Sequence, residues 1–340
     1  MKTLTVVVPV YNTEDYIRRC LDSLVNIPDR SALEILVVND GSRDSSPDIA
    51  KEYEKKYPEC VVVIDKENGG HGSTVNKGLE AATGKYFRVL DSDDWFDTLN
   101  FEKYLAELER CDEDLVLTPY TQEYTFSGEK VEYKYEAFVH DRVYTWDEMS
   151  FDENSMYFTL ASSSYRTELL RECGLHLFEK TFYVDMQFNI YPIPYLKTVR
   201  FLDYEVYRYF IGRPTQSMSG QNLMKNLPQH EKVLRFLADY YVETKDKCLP
   251  QQRDYMSLMF YFMFYSHVDL VCQKMKDRRR AYKLIKSFDG DLKKCAPDLY
   301  GKVSAFPYVR YSRKLGYLNV RYFNRLFSAA INAGRRFRGK

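Results

Sequence analysis

The sequence predicts an α/β fold: a mostly parallel sheet covered by helices on both faces, followed by a helical C-terminal extension. Three observations carry this expectation. The first hundred residues alternate apolar runs of strand length with segments of helical periodicity, each strand-like run ends in a polar cluster, and from about residue 222 the pattern is mostly helical. Continuous apolar strands separated by helices imply parallel strands buried on both faces and joined by right-handed crossovers.

Taken in order, LTVVVPV (4–10) is a solid apolar run and predicts the first strand. NTEDYIRRCLDSL (12–24) then places Ile17, Cys20, Leu21 and Leu24 on one helical face, with Asn12 as the expected cap. LEILVV (33–38) predicts a second strand, and Ser46 and Pro47 open a helix with Ile49, Ala50, Tyr53 and Tyr57 inward. CVVVI (60–64) leads through a glycine loop to a helix near 73–82, and KYFRVL (85–90) makes the fourth strand. Residues 119–135 alternate polar and aromatic around Ser127 and Gly128, as a hairpin does. The domain boundary is placed at 221/222, with residues 222–340 forming the helical region.

Composition narrows the class. A chain of 340 residues that is 45% apolar can bury a substantial core, and its net charge of +0 excludes a globally basic nucleic-acid binder. Seven scattered cysteines without a CxxC spacing argue against a disulfide framework and a zinc site, and point to a reducing cytoplasm. MKTL runs directly into a strand, which predicts no cleaved leader. The longest apolar stretch, Tyr255 to Cys272, is interrupted by Ser257, Ser266, His267 and Asp269 and reads as a buried helix.

The chemistry lies in the strand exits: PVYN, NDGS, ENGGHGS and DSDD follow the four strands in turn. In a parallel sheet the carboxyl ends of the strands are the ligand-binding edge. Singly, NDGS is an ordinary turn, NGGHG a flexible loop and Asp-x-Asp a common surface pattern. Successive polar exits along one sheet edge are a site. Two carboxylates ~4 Å apart repel by about 4 kcal/mol at a surface-like dielectric, so Asp91, Asp93 and Asp94 call for a cation or a hydrogen-bond network. No G-x-G-x-x-G follows the first strand and no phosphate-loop motif occurs. Carboxylates beside a nucleotide diphosphate need a bridging divalent cation, and Mn²⁺ or Mg²⁺ prefers that oxygen ligand set.

The blocks VVVPVYNTEDYIRRCLDSL, ILVVNDGSRDSS and ENGGHGSTVNKGLEAATGKYFRVLDSDDW resemble, in order and spacing, those of the family-2 inverting glycosyltransferases. The resemblance covers about the first hundred residues. It implies a GT-A type fold with a nucleotide-binding half at 1–97, an acceptor half at 98–221 and a nucleotide-sugar donor, most often UDP-linked. Carried over by position, Pro9, Val10 and Tyr11 line the base pocket, Asp40 bonds the uracil ring and Glu14 approaches the ribose. Asn68 and Gly70 stand near the nucleotide, Asp91 and Ser92 near the ribose or sugar, and Asp93 holds the metal. Many relatives carry an arginine where this chain has Val75, so the contact it would make is lost or passes to Lys77; His71 is also unusual and is a candidate for the donor sugar. The acceptor base is expected past the metal motif, in FEKTFYVDMQF (178–188), where Asp185 is the candidate, Val184 occupies the place of a common first acid and Glu179 is the fallback. YRYFIGRPTQSMSG (207–220) resembles a later strand and loop, from which Arg213 is expected at the diphosphate.

From Lys302 to Lys340 there are ten Lys or Arg and no Asp or Glu. Residues 308–340 interleave basic and aromatic side chains, with Tyr322, Phe323, Leu326, Phe327 and Ala330 at helical spacing and Arg321, Arg325, Arg335, Arg336 and Arg338 among them. Such a helix suits an anionic membrane surface, at about 1 kcal/mol per basic residue, or packs on its own domain with a solvated basic face. The sequence therefore predicts a cytoplasmic enzyme, with a peripheral place on the inner face of the cell membrane as one of the two readings of its basic tail. It is expected to move a sugar from a nucleotide-sugar to a surface glycan or lipid-linked acceptor. Transfer to a polyprenyl phosphate and a catalytically silent nucleotide-sugar-binding module are the competing readings, and nucleic acid is not an expected partner.

Overall fold

The computed structural model describes residues 2–152, 155–212, 225–275 and 277–317. They fall into two compact units, one of residues 2–150 and 155–212, the other of 151–152 with 225–317.

The first unit is built on an eight-stranded sheet. Strands β1 (Leu4–Val10), β2 (Leu33–Asn39), β3 (Val61–Asp65) and β4 (Tyr86–Val89) alternate with helices α1 (Ile17–Val25), α2 (Ser46–Lys56) and α3 (His71–Ala81). β3, β2, β1 and β4 lie side by side and parallel. This is the alternation expected from the sequence, and strands β1 and β2 are almost wholly buried because helices cover both faces. The chain continues through β5 (Trp95–Phe96), α4 (Thr98–Leu108), β6 (Leu115–Leu117), β7 (Tyr120–Tyr124), β8 (Lys130–Tyr133) and β9 (Val143–Thr145). It closes with β10 (Ser163–Arg166), α5 (Thr167–Glu172), α6 (Val184–Ile190), β11 (Thr198–Phe201) and β12 (Tyr207–Ile211). The large sheet has the order β3-β2-β1-β4-β10-β6-β11-β9, with β10 and β9 antiparallel to their neighbours. A second sheet, β5-β12-β7-β8, contains the predicted hairpin, in which Tyr120 and Tyr133 stack across β7 and β8 with ring centroids 4.9 Å apart. The acidic loop joins β4 of the large sheet to β5 of the small one.

One expectation is corrected. Helix α1 begins at Ile17 and Asn12 does not cap it. Asn12 adopts a left-handed φ of 52°, which Asn tolerates better than most residues, and its side chain bonds the next loop.

The second unit is helical: α7 (Leu227–Thr244), α8 (Pro250–Lys274), α9 (Arg278–Cys295), α10 (Pro297–Val303) and α11 (Pro307–Lys314). All but α9 carry proline in the first turn, where the missing amide hydrogen costs nothing. The long apolar stretch is α8, with Tyr255, Met259, Phe264, Val268 and Val271 fully buried. Among the described residues no helix is long and apolar enough to cross a membrane. Of the basic stretch, Tyr308 and Val309 are buried and Arg313 pairs with Asp289 at 2.7 Å over the Tyr300 ring, so α11 packs within its own unit. The rest of that stretch, 318–340, lies outside the described residues.

His230 of α7 and His267 of α8 face each other in this core, their Nδ1 atoms 3.4 Å apart. Burial pushes the imidazoles down to about 3 and about 4, helped for His230 by His267 and for His267 by Arg235. Both are neutral when folded, whereas in the unfolded chain they take up protons near pH 6.5. The unfolded state therefore binds more protons as pH falls, and stability is lost from about pH 6.5 downward until the folded pair itself titrates. At pH 5 this amounts to about 2 kcal/mol per imidazole. Thermal melts at pH 7.5 and 5.0 are expected to show a drop that shrinks in His267→Gln; an equal drop in both proteins contradicts the assignment.

Candidate active site

Because β1 to β4 are parallel, their exit loops share one edge, and side chains lace them together. Asn12 donates from its amide to Ser42 Oγ at 3.1 Å and accepts the Arg43 amide at 2.8 Å. Glu14 accepts the Ser45 amide at 2.9 Å, and Thr13 Oγ1 donates to Ser92 Oγ at 3.0 Å. Glu14 and Ser92, singled out from the sequence as donor contacts, thus form part of the loop framework. Pro9 and Val10 are buried, and Val10 belongs to the core, while Tyr11 is 49% exposed and presents its ring at the edge.

Asp40 organises the glycine loop. One carboxylate oxygen accepts the Gly69 amide and Lys66 Nζ, each at 2.8 Å, and the other accepts the Gly70 amide at 2.8 Å. Asn68 Nδ2 bonds the Asp40 carbonyl at 3.0 Å. Gly70 sits at φ 81°, a conformation that glycine adopts without strain. Asp40 is only 2% exposed, and its carboxylate is engaged with this loop. Lys77 lies further along α3 and pairs with Glu80 at 2.9 Å.

The acidic loop divides its carboxylates. Asp94 is fully buried and accepts Tyr207 Oη at 2.6 Å and the Phe210 amide at 2.7 Å, which ties the loop to β12. Burial, then Asp93 and Asp91, push its carboxyl well above the usual range against those two hydrogen bonds. Asp91 takes a different partner, His71 Nε2, at 2.8 Å. Asp93 is partly exposed, and its carbonyl accepts Arg19 Nη2 at 2.9 Å, the Arg19 guanidinium lying 3.6 Å over the Trp95 ring.

Asp185 is the second residue of α6. Solvent reaches it, yet the protein packed around it pushes its carboxyl up and Asp91 adds to that, while His71 works in the opposite direction. Burial disfavours the His71 imidazolium, but Asp91, Asp185 and Asp93 outweigh it and the imidazole is raised. Asp91, in contact with the ring, and Asp185 and Asp93, acting through space, thus all favour the protonated imidazole. His71→Asn is expected to move the acid limb of the pH profile of activity upward, because Asp185 loses the neighbour that lowers its carboxyl. A limb that stays put or moves down contradicts the coupling.

Among the described residues no three His, Cys, Asp or Glu side chains are arranged to hold a metal ion. The donor set fits a cation that completes its shell from a diphosphate, since Asp93 offers hard carboxylate oxygens and Mg²⁺-type ions commonly use one or two carboxylates with substrate phosphates. Of the other candidates, Glu179 is exposed beside Lys180, and Arg213 lies outside the described residues. Sequence reasoning missed Tyr207 and Tyr209. Tyr207 bonds both Asp94 and the Asp91 amide, and Tyr209 feels Asp94, Asp91, Asp185 and Asp93 together once burial has raised its hydroxyl. Both lie on β12, more than a hundred residues from the acidic loop, and no local pattern joins them. His71, a candidate for the donor sugar from the sequence, bonds Asp91 in this structure.

Comparison with known proteins points one way. A family model described as glycosyl transferase family 2 matches residues 5–174. The putative glycosyltransferase EpsH of Bacillus subtilis (strain 168) is 43% identical over 129 residues, covering 38% of this chain and 37% of that protein. A poly(ribitol-phosphate) beta-glucosyltransferase of Bacillus spizizenii (strain ATCC 23059 / NRRL B-14472 / W23) is 48% identical over 96 residues, 27% of this chain and 15% of that one. The matched segments thus span well under two thirds of either relative. The crystal structure of S. aureus TarS 1-349 in complex with UDP-GlcNAc aligns with a TM-score of 0.71 at 20% identity, over 97% of this chain and 92% of that one, a likeness of fold.

Proposed function

The chain belongs to glycosyl transferase family 2, and on that premise we propose that it transfers a sugar, with inversion, from a UDP-linked donor to a hydroxyl of a surface glycan or lipid-linked oligosaccharide. The observation that carries the reading is the contact of Asp91 with His71 at the end of the glycine loop, on the edge formed by the exits of β1 to β4. The donor class draws support from the UDP-GlcNAc complex of TarS, and the acceptor class from the name of the B. spizizenii relative.

In this reading the glycine loop and the start of α3 face the donor, and Asp91 is held in place by His71. Asp93 would hold Mn²⁺ or Mg²⁺ together with donor oxygens, and that cation supplies positive charge to the departing diphosphate. Asp185 removes the proton of the acceptor hydroxyl as its oxygen bonds to the anomeric carbon, on the face opposite the breaking bond to UDP. Its raised carboxyl is the better base for being less readily ionised. NMR of the product is the test: inverted anomeric configuration is expected, and retention contradicts the mechanism. A place on the inner membrane face belongs to the same reading and rests on the charge of residues 308–340. Co-sedimentation with anionic but not neutral vesicles is expected, and its absence removes the membrane from the account.

A further inference from the structure

The segment that brings Asp185 to the site is clamped to the glycine loop. Asn76, in the second turn of α3, donates from Nδ2 to the Leu177 carbonyl at 2.9 Å and accepts the Leu177 amide at 2.8 Å. One side-chain amide thus engages both backbone groups of a residue 101 positions away. Beside it the Lys180 amide donates to the Gly69 carbonyl at 2.5 Å. The Phe178 amide donates at 3.0 Å to Gln187, which sits on α6 with Asp185. The two strands of chain are in such close contact that a Cβ at Gly72 would stand 2.3 Å from the Phe178 carbonyl oxygen.

Between this clamp and α6 the backbone is strained. Lys180 and Tyr183, neither of them glycine, hold φ values of 48° and 66°, a region such residues keep only where their surroundings impose it. On its other side the same glycine loop is fixed by Asp40 through the Gly69 and Gly70 amides. Contacts therefore run without a break from Asp40, through the glycine loop, to the helix that carries Asp185.

We propose that Asn76 is a positioning residue that locks residues 177–183 onto the glycine loop, so that the donor loop and the Asp185 base are set as one body. The inference deepens the proposed function and rests on Asp185 acting as its base. Asn76 touches no reacting atom in this scheme; it acts through the segment it holds. A displacement of about 1 Å at a reacting group can cost ~10²-fold in rate, and that is the loss expected here.

The test compares wild type with Asn76→Ala on three readouts: transfer rate, UDP affinity by calorimetry, and hydrogen exchange of residues 178–183 without nucleotide. The expected result is a kcat lower by ~10²-fold, UDP affinity within about twofold, and faster exchange confined to the clamped segment. A kcat within about threefold of wild type overturns the proposal, as does a parallel loss of rate and UDP affinity with exchange unchanged. If Asn76→Ala fails to fold, Asn76→Asp keeps the acceptor for the Leu177 amide and removes the donor to its carbonyl, and the same split is expected in milder form. Failure of the underlying reading looks different: Asp185→Asn then transfers as wild type does, and the exchange readout alone still supports or refutes the clamp.

Discussion

Asp185→Asn is expected to slow sugar transfer by ~10²–10⁴-fold, the usual contribution of a general base, with UDP affinity within about twofold of wild type. The substitution keeps the shape of the side chain and removes its ability to take a proton. Asp185 sits at the start of α6, not among the glycine-loop residues, so donor binding has little reason to change. The pH profile gives a second handle on the same group. Packing raises the Asp185 carboxyl, so activity in the wild type is lost as pH falls through a value above the ordinary carboxylate range. In Asp185→Asn that limb is expected to vanish from the residual rate. A variant that transfers at the wild-type rate would remove Asp185 from the mechanism and favour an acceptor that is already anionic, such as a polyprenyl phosphate.

The second large effect separates two adjacent carboxylates. Asp93→Asn is expected to fold and melt like wild type but to lose ~10²–10³-fold in transfer, the scale for removing one electrostatic stabiliser of a transition state, and to lose its response to added Mn²⁺. Asp94→Ala is expected to lower stability, because the buried Tyr207 hydroxyl and the partly buried Phe210 amide lose their acceptor, at about 1–3 kcal/mol for a buried group stranded. Asp94→Asn keeps one acceptor oxygen, so that one of the two donors retains its partner. It should be the milder of the two. Thermal melts and Mn²⁺-dependent rates of the three variants check the division; an Asp94→Asn protein that is stable but as inactive as Asp93→Asn contradicts it.

The half of the molecule written in local pattern was legible from the chain. Apolar runs of strand length named β1 to β4, and the polar exits named the edge on which the site is built, because burial on both faces leaves a parallel strand no freedom except at its ends. The acidic loop was visible as a cluster, and Asp185 as an acid in the expected segment. Partnerships were not visible. Nothing in DSDD says that Asp94 turns inward to Tyr207 while Asp91 turns to His71; that is decided by β12, which pairs with β5 and so lies against the loop. Asn12 looked like a helix cap because its position relative to the apolar face allows one, and the bonds offered by Ser42 and Arg43 won instead. The role of Asn76 was not legible, since it engages the backbone of Leu177, which no side-chain pattern marks.

The central claim, a nucleotide-sugar site built at the carboxyl edge of β1 to β4, is tested most directly by one screen. The full chain is incubated with UDP-, GDP-, CDP- and dTDP-sugars, with and without Mn²⁺, and read by thermal shift and by release of the nucleotide. Stabilisation and release with a UDP-sugar, both stronger with Mn²⁺ and both reduced in Asp93→Asn, is the predicted result. No stabilisation by any nucleotide under either condition would contradict it.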